Sequence, residues 1–199
     1  DAAVGNDELL DELGITEIER DLVSIDQKYR QISPTARLDS FLTDEAYSFV
    51  ELNGESPAGI AFSDSASKIF LDLPIVQKFA EKYEFRTLEG SSKMLSTLIQ
   101  AYQEFAGDNP KPNPTIAIVD LKDLPTIKEF ELFRDYFISE GYPSIICAPD
   151  EVEFKDGKLW CGETEIDIIY KRLLVNEYLP IVAKYPAILD AYRAGSVCM

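Results

Sequence analysis

Ile116-Ala117-Ile118-Val119-Asp120, joined through a helical stretch to Ser144-Ile145-Ile146-Cys147, decides the fold. Each is a short apolar run without polar alternation, the pattern of a strand buried on both faces. Between them Phe130, Phe133 and Phe137 recur at helical spacing, which predicts a helix over 126–140 with those rings in the core. Thr126 reads as its N-cap, with Glu129 three residues on completing a capping box. Strand, helix and strand in this order predict a βαβ unit with a parallel pair. Downstream, Asp156-Gly157 marks a hairpin turn within 152–160, on which Trp160 packs. A further strand over 166–170 ends in Lys171-Arg172, and helix resumes over 179–193. Asp120, Lys171 and Arg172 thus stand at strand ends, where α/β proteins place ligand contacts, a carboxylate or phosphate for the two cations; a connecting Asp and a surface ion pair are the plainer readings.

Upstream, Asp108 to Pro114 holds three prolines in five residues and can be neither helix nor central strand. It is read as a linker between a unit over 1–107 and an α/β unit over 115–199. The closing Gly195-Ser196-Val197-Cys198-Met199 has the pattern of a strand beginning, so the second unit is expected to be truncated at its C-terminus. Within the first unit, residues 1–30 predict helix with a break at Gly14. Helices are also predicted over 73–83, where Pro74 suits a first turn, and over 91–105.

Composition narrows the chemistry. The 199 residues carry 19 Lys and Arg against 36 Asp and Glu, a net charge of −17, which argues against nucleic acid or an anionic membrane as a partner. No apolar run approaches the roughly 18 residues of a membrane helix. Histidine is absent, which excludes Ser-His-Asp and Cys-His catalysis and histidine-held zinc or iron within this chain. Any metal must be held by oxygen or thiolate. Cys147, Cys161 and Cys198, three thiols with no Cys-x-x-Cys, read as reduced residues of a cytoplasmic protein.

The stretch 37–56 carries the candidate site. Arg37-Leu38-Asp39-Ser40-Phe41-Leu42 and Tyr47-Ser48-Phe49-Val50-Glu51-Leu52-Asn53 flank a polar turn, which predicts a hairpin. A turn near 44–46 pairs positions summing to about 90, so Asp39 faces Glu51 and Arg37 faces Asn53 on one side. Facing carboxylates repel unless a cation or Arg37 offsets them. Two carboxylates and an amide are ligands suited to Mg²⁺, and a neighbouring arginine can pair a phosphate. An exposed polar face with an Arg–carboxylate pair satisfies the same pattern. Gly54 and Gly59 bound a loop in which Ser56 can donate to a ligand. No Walker A or Gly-x-Gly-x-x-Gly sequence is present.

Arg37-x-Asp39, Glu51-x-Asn53 and then Glu55-Ser56-Pro57 resemble the glutathionylspermidine synthase-type, circularly permuted ATP-grasp family. The likeness covers roughly 36–199. Ile116–Asp120, Pro125-Thr126, 129–133 and 167–172 are similar to the substrate-side, Rossmann-like (pre-ATP-grasp) domain of relatives. The resemblance implies Asp39, Glu51 and Asn53 as Mg²⁺ ligands, Arg37 as a catalytic phosphate contact for ATP, and Ser56 and Glu55 as contacts to a carboxylate, amine or thiol-peptide substrate. Asp120 and Lys171 join them as candidate substrate contacts. It further implies ATP-dependent amide formation, with the family's phosphate-binding lysines in a remainder of the ATP-grasp domain beyond Met199. The chain alone is then expected not to turn over ATP. Gly54-Glu55 departs from the Ala-Asp type pair of the better-known synthases, which leaves the substrate open. The expected fold is therefore α/β: N-terminal helices and an antiparallel hairpin plus a Rossmann-like βαβ domain. A non-catalytic ligand-binding module and an acidic protein-interaction domain are the alternatives.

Overall fold

The computed structural model describes residues 5–31 and 33–199; the helical expectation for residues 1–4 lies outside them. In chain order the elements are α1 (Asp7–Glu12), α2 (Glu17–Val23), β1 (Arg37–Leu42), β2 (Tyr47–Asn53), α3 (Ile60–Leu71), α4 (Pro74–Ala80) and α5 (Gly90–Ala106). There follow β3 (Ile116–Val119), α6 (Ile127–Ser139), β4 (Ser144–Cys147), β5 (Val152–Lys155), β6 (Lys158–Cys161), β7 (Thr164–Ile166), β8 (Ile168–Lys171), α7 (Val175–Tyr178) and α8 (Ala187–Arg193). The architecture is mixed α/β, with the expected hairpin and parallel pair.

A parallel sheet in the order β4-β3-β8 forms the centre. Because strand residues alternate in direction, its two faces feed two cores. Ile116, Ile118, Ile168 and Tyr170 pack with Met94, Leu95 and Leu98 of α5 and the three phenylalanines of α6. Ala117, Val119, Cys147 and Ile169 pack on the other side with Ala187, Ile188 and Ala191 of α8 and with Val152, Leu159 and Ile166. Both sides of β3 are covered, which is why its four residues are uninterruptedly apolar and buried.

The first core contains residues from both sides of segment 108–114. That segment carries no helix or strand and is held at Lys111, whose N–H donates to the Tyr102 hydroxyl (3.3 Å) and whose Nζ donates to Asp167 (2.6 Å) and Glu165 (2.9 Å).

Several sequence expectations change. The strand expected over 166–170 is two strands. Ile166 belongs to β7, antiparallel to β6, whereas Ile168 opens β8, parallel to β3. Asp167 makes the switch, its carboxylate accepting from the Thr115 N–H (2.9 Å) and Lys111. The helix expected over 179–193 is broken: α7 begins earlier, a 3-10 turn follows at Leu179–Ile181, and α8 starts only after Pro186. Helix α3 was not expected. The Thr126 capping box is absent, since Thr126 has helical backbone angles and its side chain makes no capping bond. Glu129 is instead fully buried. The hairpin at Asp156-Gly157 forms as expected, with Lys155 over the Trp160 ring. All three cysteines are free thiols. Among the described residues no helix is long and apolar enough to cross a membrane.

Candidate functional site

The hairpin pairs Arg37 with Asn53 and Asp39 with Glu51. Beyond Asp39 the register shifts, and Ser40 faces Phe49, which leaves Val50 as the extra residue of a β-bulge. The bulge reverses the alternation of β2. Glu51 and Asn53 share a face with Arg37 and Asp39, while Tyr47 and Phe49 move to the face of Leu38, Leu42 and Leu52. The rings of Tyr47 and Phe49 meet edge to face at 5.0 Å. The bulge thereby gathers four polar side chains at the open end of a hairpin whose opposite face is apolar.

Within that polar group Arg37 grips Asp39 with two bonds, Nε to Oδ1 at 2.8 Å and Nη2 to Oδ2 at 3.3 Å. The guanidinium holds the Asp39 carboxyl below the usual carboxylate range, and Asp39 in turn raises Arg37. Asn53 Nδ2 donates to Glu51 Oε1 at 2.9 Å, which turns the amide oxygen of Asn53 away from Glu51. The donors are two carboxylates and an amide, all oxygen, and so fit a hard cation. Among the described residues no group of three or more His, Cys, Asp or Glu side chains converges. A cation here would therefore take Asn53 and outside oxygens, from water or phosphate, to complete its shell.

The loop after Asn53 makes a second group. Ser56, with a positive φ of 47°, donates from Oγ to the Lys171 carbonyl at 2.7 Å. Glu55 pairs with Lys171 Nζ and also accepts from the Val175 N–H at 2.9 Å. Lys171 Nζ donates further to the Leu173 carbonyl at 2.9 Å. Ser56, Glu55 and Lys171 thus stand together at the carboxyl end of β8. Asp120 follows β3, whose last residue, Val119, is in register with Lys171. It accepts from the Leu121 N–H at 2.8 Å, and burial raises its carboxyl above the ordinary value. It is placed at the same sheet end without a hydrogen bond to Lys171, Glu55 or Ser56. A cavity of about 1070 Å³ lies beside this group, lined by Glu55, Ser56 and Lys171 and by apolar residues that include Leu98, Leu173 and Ile188.

The two groups meet through the loop. Arg37 Nη1 donates to the Ala58 carbonyl at 3.1 Å. Beneath lie Arg172, which the sequence reading took with Lys171 as a carboxylate or phosphate contact, and Glu129, whose buried role it missed. Glu129 Oε1 accepts from the N–H groups of Gly59 (2.8 Å) and Ala61 (3.2 Å). Arg172 Nη1 donates to the Pro57 carbonyl (2.7 Å) and the Tyr170 hydroxyl (3.2 Å). The signal was present, because Glu129 lies four residues before Phe133, on the apolar stripe of α6. A carboxylate on that stripe needs a buried partner. No protein-family model and no curated protein matches this sequence.

Proposed function

We infer that this chain is the Mg²⁺- and phosphate-holding part of an ATP-dependent carboxylate–amine ligase, as its resemblance to the glutathionylspermidine synthase-type ATP-grasp family implies. The observation that carries the reading is the single polar face of Arg37, Asp39, Glu51 and Asn53, assembled by the hairpin register. Asp39, Glu51 and Asn53 would hold the ion and Arg37 would pair a phosphate oxygen of ATP. Bound there, Mg²⁺ would supply charge neutralisation for phosphoryl transfer. A carboxylate substrate takes the γ-phosphoryl group and ADP leaves. The amine then attacks the acyl carbon, phosphate departs, and an amide results with the amine's proton given up. No histidine is needed. Glu55, Ser56, Asp120 and Lys171 at the sheet end are the substrate contacts in this reading, beside the cavity. The three free thiols suit a reducing, cytoplasmic compartment.

The apolar face of the hairpin supports a partner. Leu38, Leu42, Tyr47, Phe49 and Leu52 are each more than half exposed, and a two-stranded hairpin alone is marginal in water. The remainder of the ATP-grasp unit is the cover that the resemblance supplies. A second reading, a ligand-binding module without chemistry, is favoured by the cavity and by the way Lys171, Glu55 and Ser56 already satisfy one another.

Calorimetric titration with Mg²⁺ separates the two. The ligase reading expects binding by the wild type and, with one carboxylate charge removed in Glu51→Gln, a Kd weaker by about tenfold, equivalent to about 1.4 kcal/mol. Equal heats for both proteins would refute it.

A further inference from the structure

The ion pair of Glu129 and Arg172 is poorly made as a pair and well made as an anchor. Arg172 Nη2 lies 3.9 Å from Glu129 Oε2, beyond hydrogen-bond length, and both side chains are almost completely buried. Glu129 Oε2 and Arg172 Nε have no hydrogen-bond partner among the described residues. Such a pair is a weak source of stability. Its bonds to backbone are short, and all of them fall on one segment. Glu129 takes the Gly59 and Ala61 N–H groups, and Arg172 takes the Pro57 carbonyl. Gly59, at φ 97°, is the N-cap of α3 and has no side chain with which to cap it, so the carboxylate from α6 takes the N–H of Gly59 itself and that of Ala61 in the first turn. Arg172 is further fixed by the Phe130 and Tyr170 rings, each 5.5 Å from its guanidinium carbon.

Segment 57–61 is the mechanical link of the candidate site. On one side Ala58 receives Arg37 from the hairpin. On the other, Glu55 and Ser56 reach Lys171 at the end of β8. Apart from the peptide bond that joins Arg172 to Lys171, the Glu129 and Arg172 side chains make no hydrogen bond to either group of ligand candidates. They hold the piece of chain that joins them.

We propose that Glu129 and Arg172 are positioning residues for the hairpin's cation site, clamping residues 57–61 to the end of the parallel sheet and so setting where Arg37 and the Asp39–Glu51–Asn53 face stand. The proposal rests on the Mg²⁺ reading above. Removing one partner strands a buried charge, so neutral double variants isolate the clamp. Glu129→Met with Arg172→Met keeps the volume but removes the acceptor. Glu129→Gln with Arg172→Met keeps an amide oxygen for the Gly59 and Ala61 N–H groups.

Amide hydrogen exchange and Mg²⁺ titration are measured on both and on the wild type. The double methionine variant should exchange Gly59 and Ala61 faster and bind Mg²⁺ more weakly, each by about tenfold or more, the scale on which supporting residues tune metal sites. The amides of Ile118 and Phe133 should keep their protection, marking an intact core. The glutamine variant should keep wild-type protection at Gly59 and Ala61 and recover part of the Mg²⁺ affinity, the remaining deficit being the share of the lost Arg172–Pro57 bond; full recovery would remove Arg172 from the positioning role. Unchanged Mg²⁺ affinity in the double methionine variant would overturn the positioning role, as would loss of affinity in the glutamine variant equal to that in the methionine variant. A wild type that binds no Mg²⁺ would overturn the metal reading itself, and this role with it.

Discussion

Asp120 shows at the scale of one residue how placement sets chemistry. It follows the central strand β3 and is almost fully buried, with the Leu121 N–H as its hydrogen-bond donor. Burial raises its carboxyl, opposed by that bond and by the charges of Arg172 and Lys171, and helped by Glu177. A raised carboxyl gives stability that is present while the group is protonated in both states. It is lost as pH climbs from the unfolded value through the folded one. Asp120→Asn keeps an oxygen for the Leu121 N–H and removes the cost of ionisation. It should therefore raise the denaturation midpoint at pH 7 and leave it nearly unchanged below about pH 3.9, the ordinary Asp value. A midpoint that falls at pH 7 would mean that the charge itself is held by partners. Asp120 was legible as a strand-end residue because a buried apolar run must end where polar groups can resume. Glu129 was misread because its capping-box spacing from Thr126 offered an exposed role, although its place four residues before Phe133 put it on the apolar stripe of α6.

Helices α3 and α5 show why elements can escape a local reading. Neither is capped by its own N-cap side chain. Helix α3 is capped by Glu129 from α6, and α5 by Asp64 from α3, which accepts from the N–H groups of Gly90 (2.9 Å) and Ser91 (2.7 Å). Gly90 is required by this approach, since a Cβ there would stand 2.6 Å from Ile60 Cγ2. Helix α5 was legible anyway from its buried stripe of Met94, Leu95, Leu98 and Tyr102. Helix α3 buries only Ala61 and is rich in serine, so nothing local announces it. Burial disfavours the charge on Asp64, but the Ser91 side chain and the Ser91 and Gly90 N–H groups outweigh it and hold the carboxyl below the usual range. A lowered carboxyl gives stability present above its unfolded value and lost as pH falls through the folded one. Asp64→Ala should cost about 1 kcal/mol at pH 7, the usual worth of a helix cap. The difference from wild type should close in acid; a pH-independent loss would point to packing. The hairpin was legible, but its pairing of Asp39 with Glu51 followed from a turn read as centred on residue 45, whereas the turn pairs Leu42 with Tyr47 and the bulge restores the Asp39–Glu51 register. The bulge at Val50 was not, because a string of letters does not mark which residue of a strand is unpaired.

For the whole molecule, charge and exposed apolar surface pull in different directions. A net charge of −17 repels phosphate, yet the site is read as holding phosphate, which requires a cation to reverse the local sign. Arg37 is the positive side chain engaged with the hairpin's polar face. Phosphoryl transfer draws on several such charges, so this chain by itself should release no phosphate from ATP above the blank. Steady-state turnover that Asp39→Asn abolishes would contradict that assignment. The partition into an α/β sheet with a hairpin attached was readable from apolar patterning. The continuity of one core across segment 108–114, and the apolar face left open on the hairpin, emerge only from three-dimensional packing.

The central claim is that one divalent ion is held at the open end of the hairpin. Titration with Mn²⁺ as a paramagnetic stand-in for Mg²⁺, read as line broadening of assigned amides, tests it most directly. The account predicts that Arg37, Asp39, Glu51, Asn53 and Gly54 broaden first and together, and that Glu51→Gln moves the effect to about tenfold higher Mn²⁺. Broadening that begins instead along the acidic helices α1 and α2, at Asp7, Asp11 and Glu17, and is unchanged in Glu51→Gln, would show an ion drawn by net charge and no site at the hairpin.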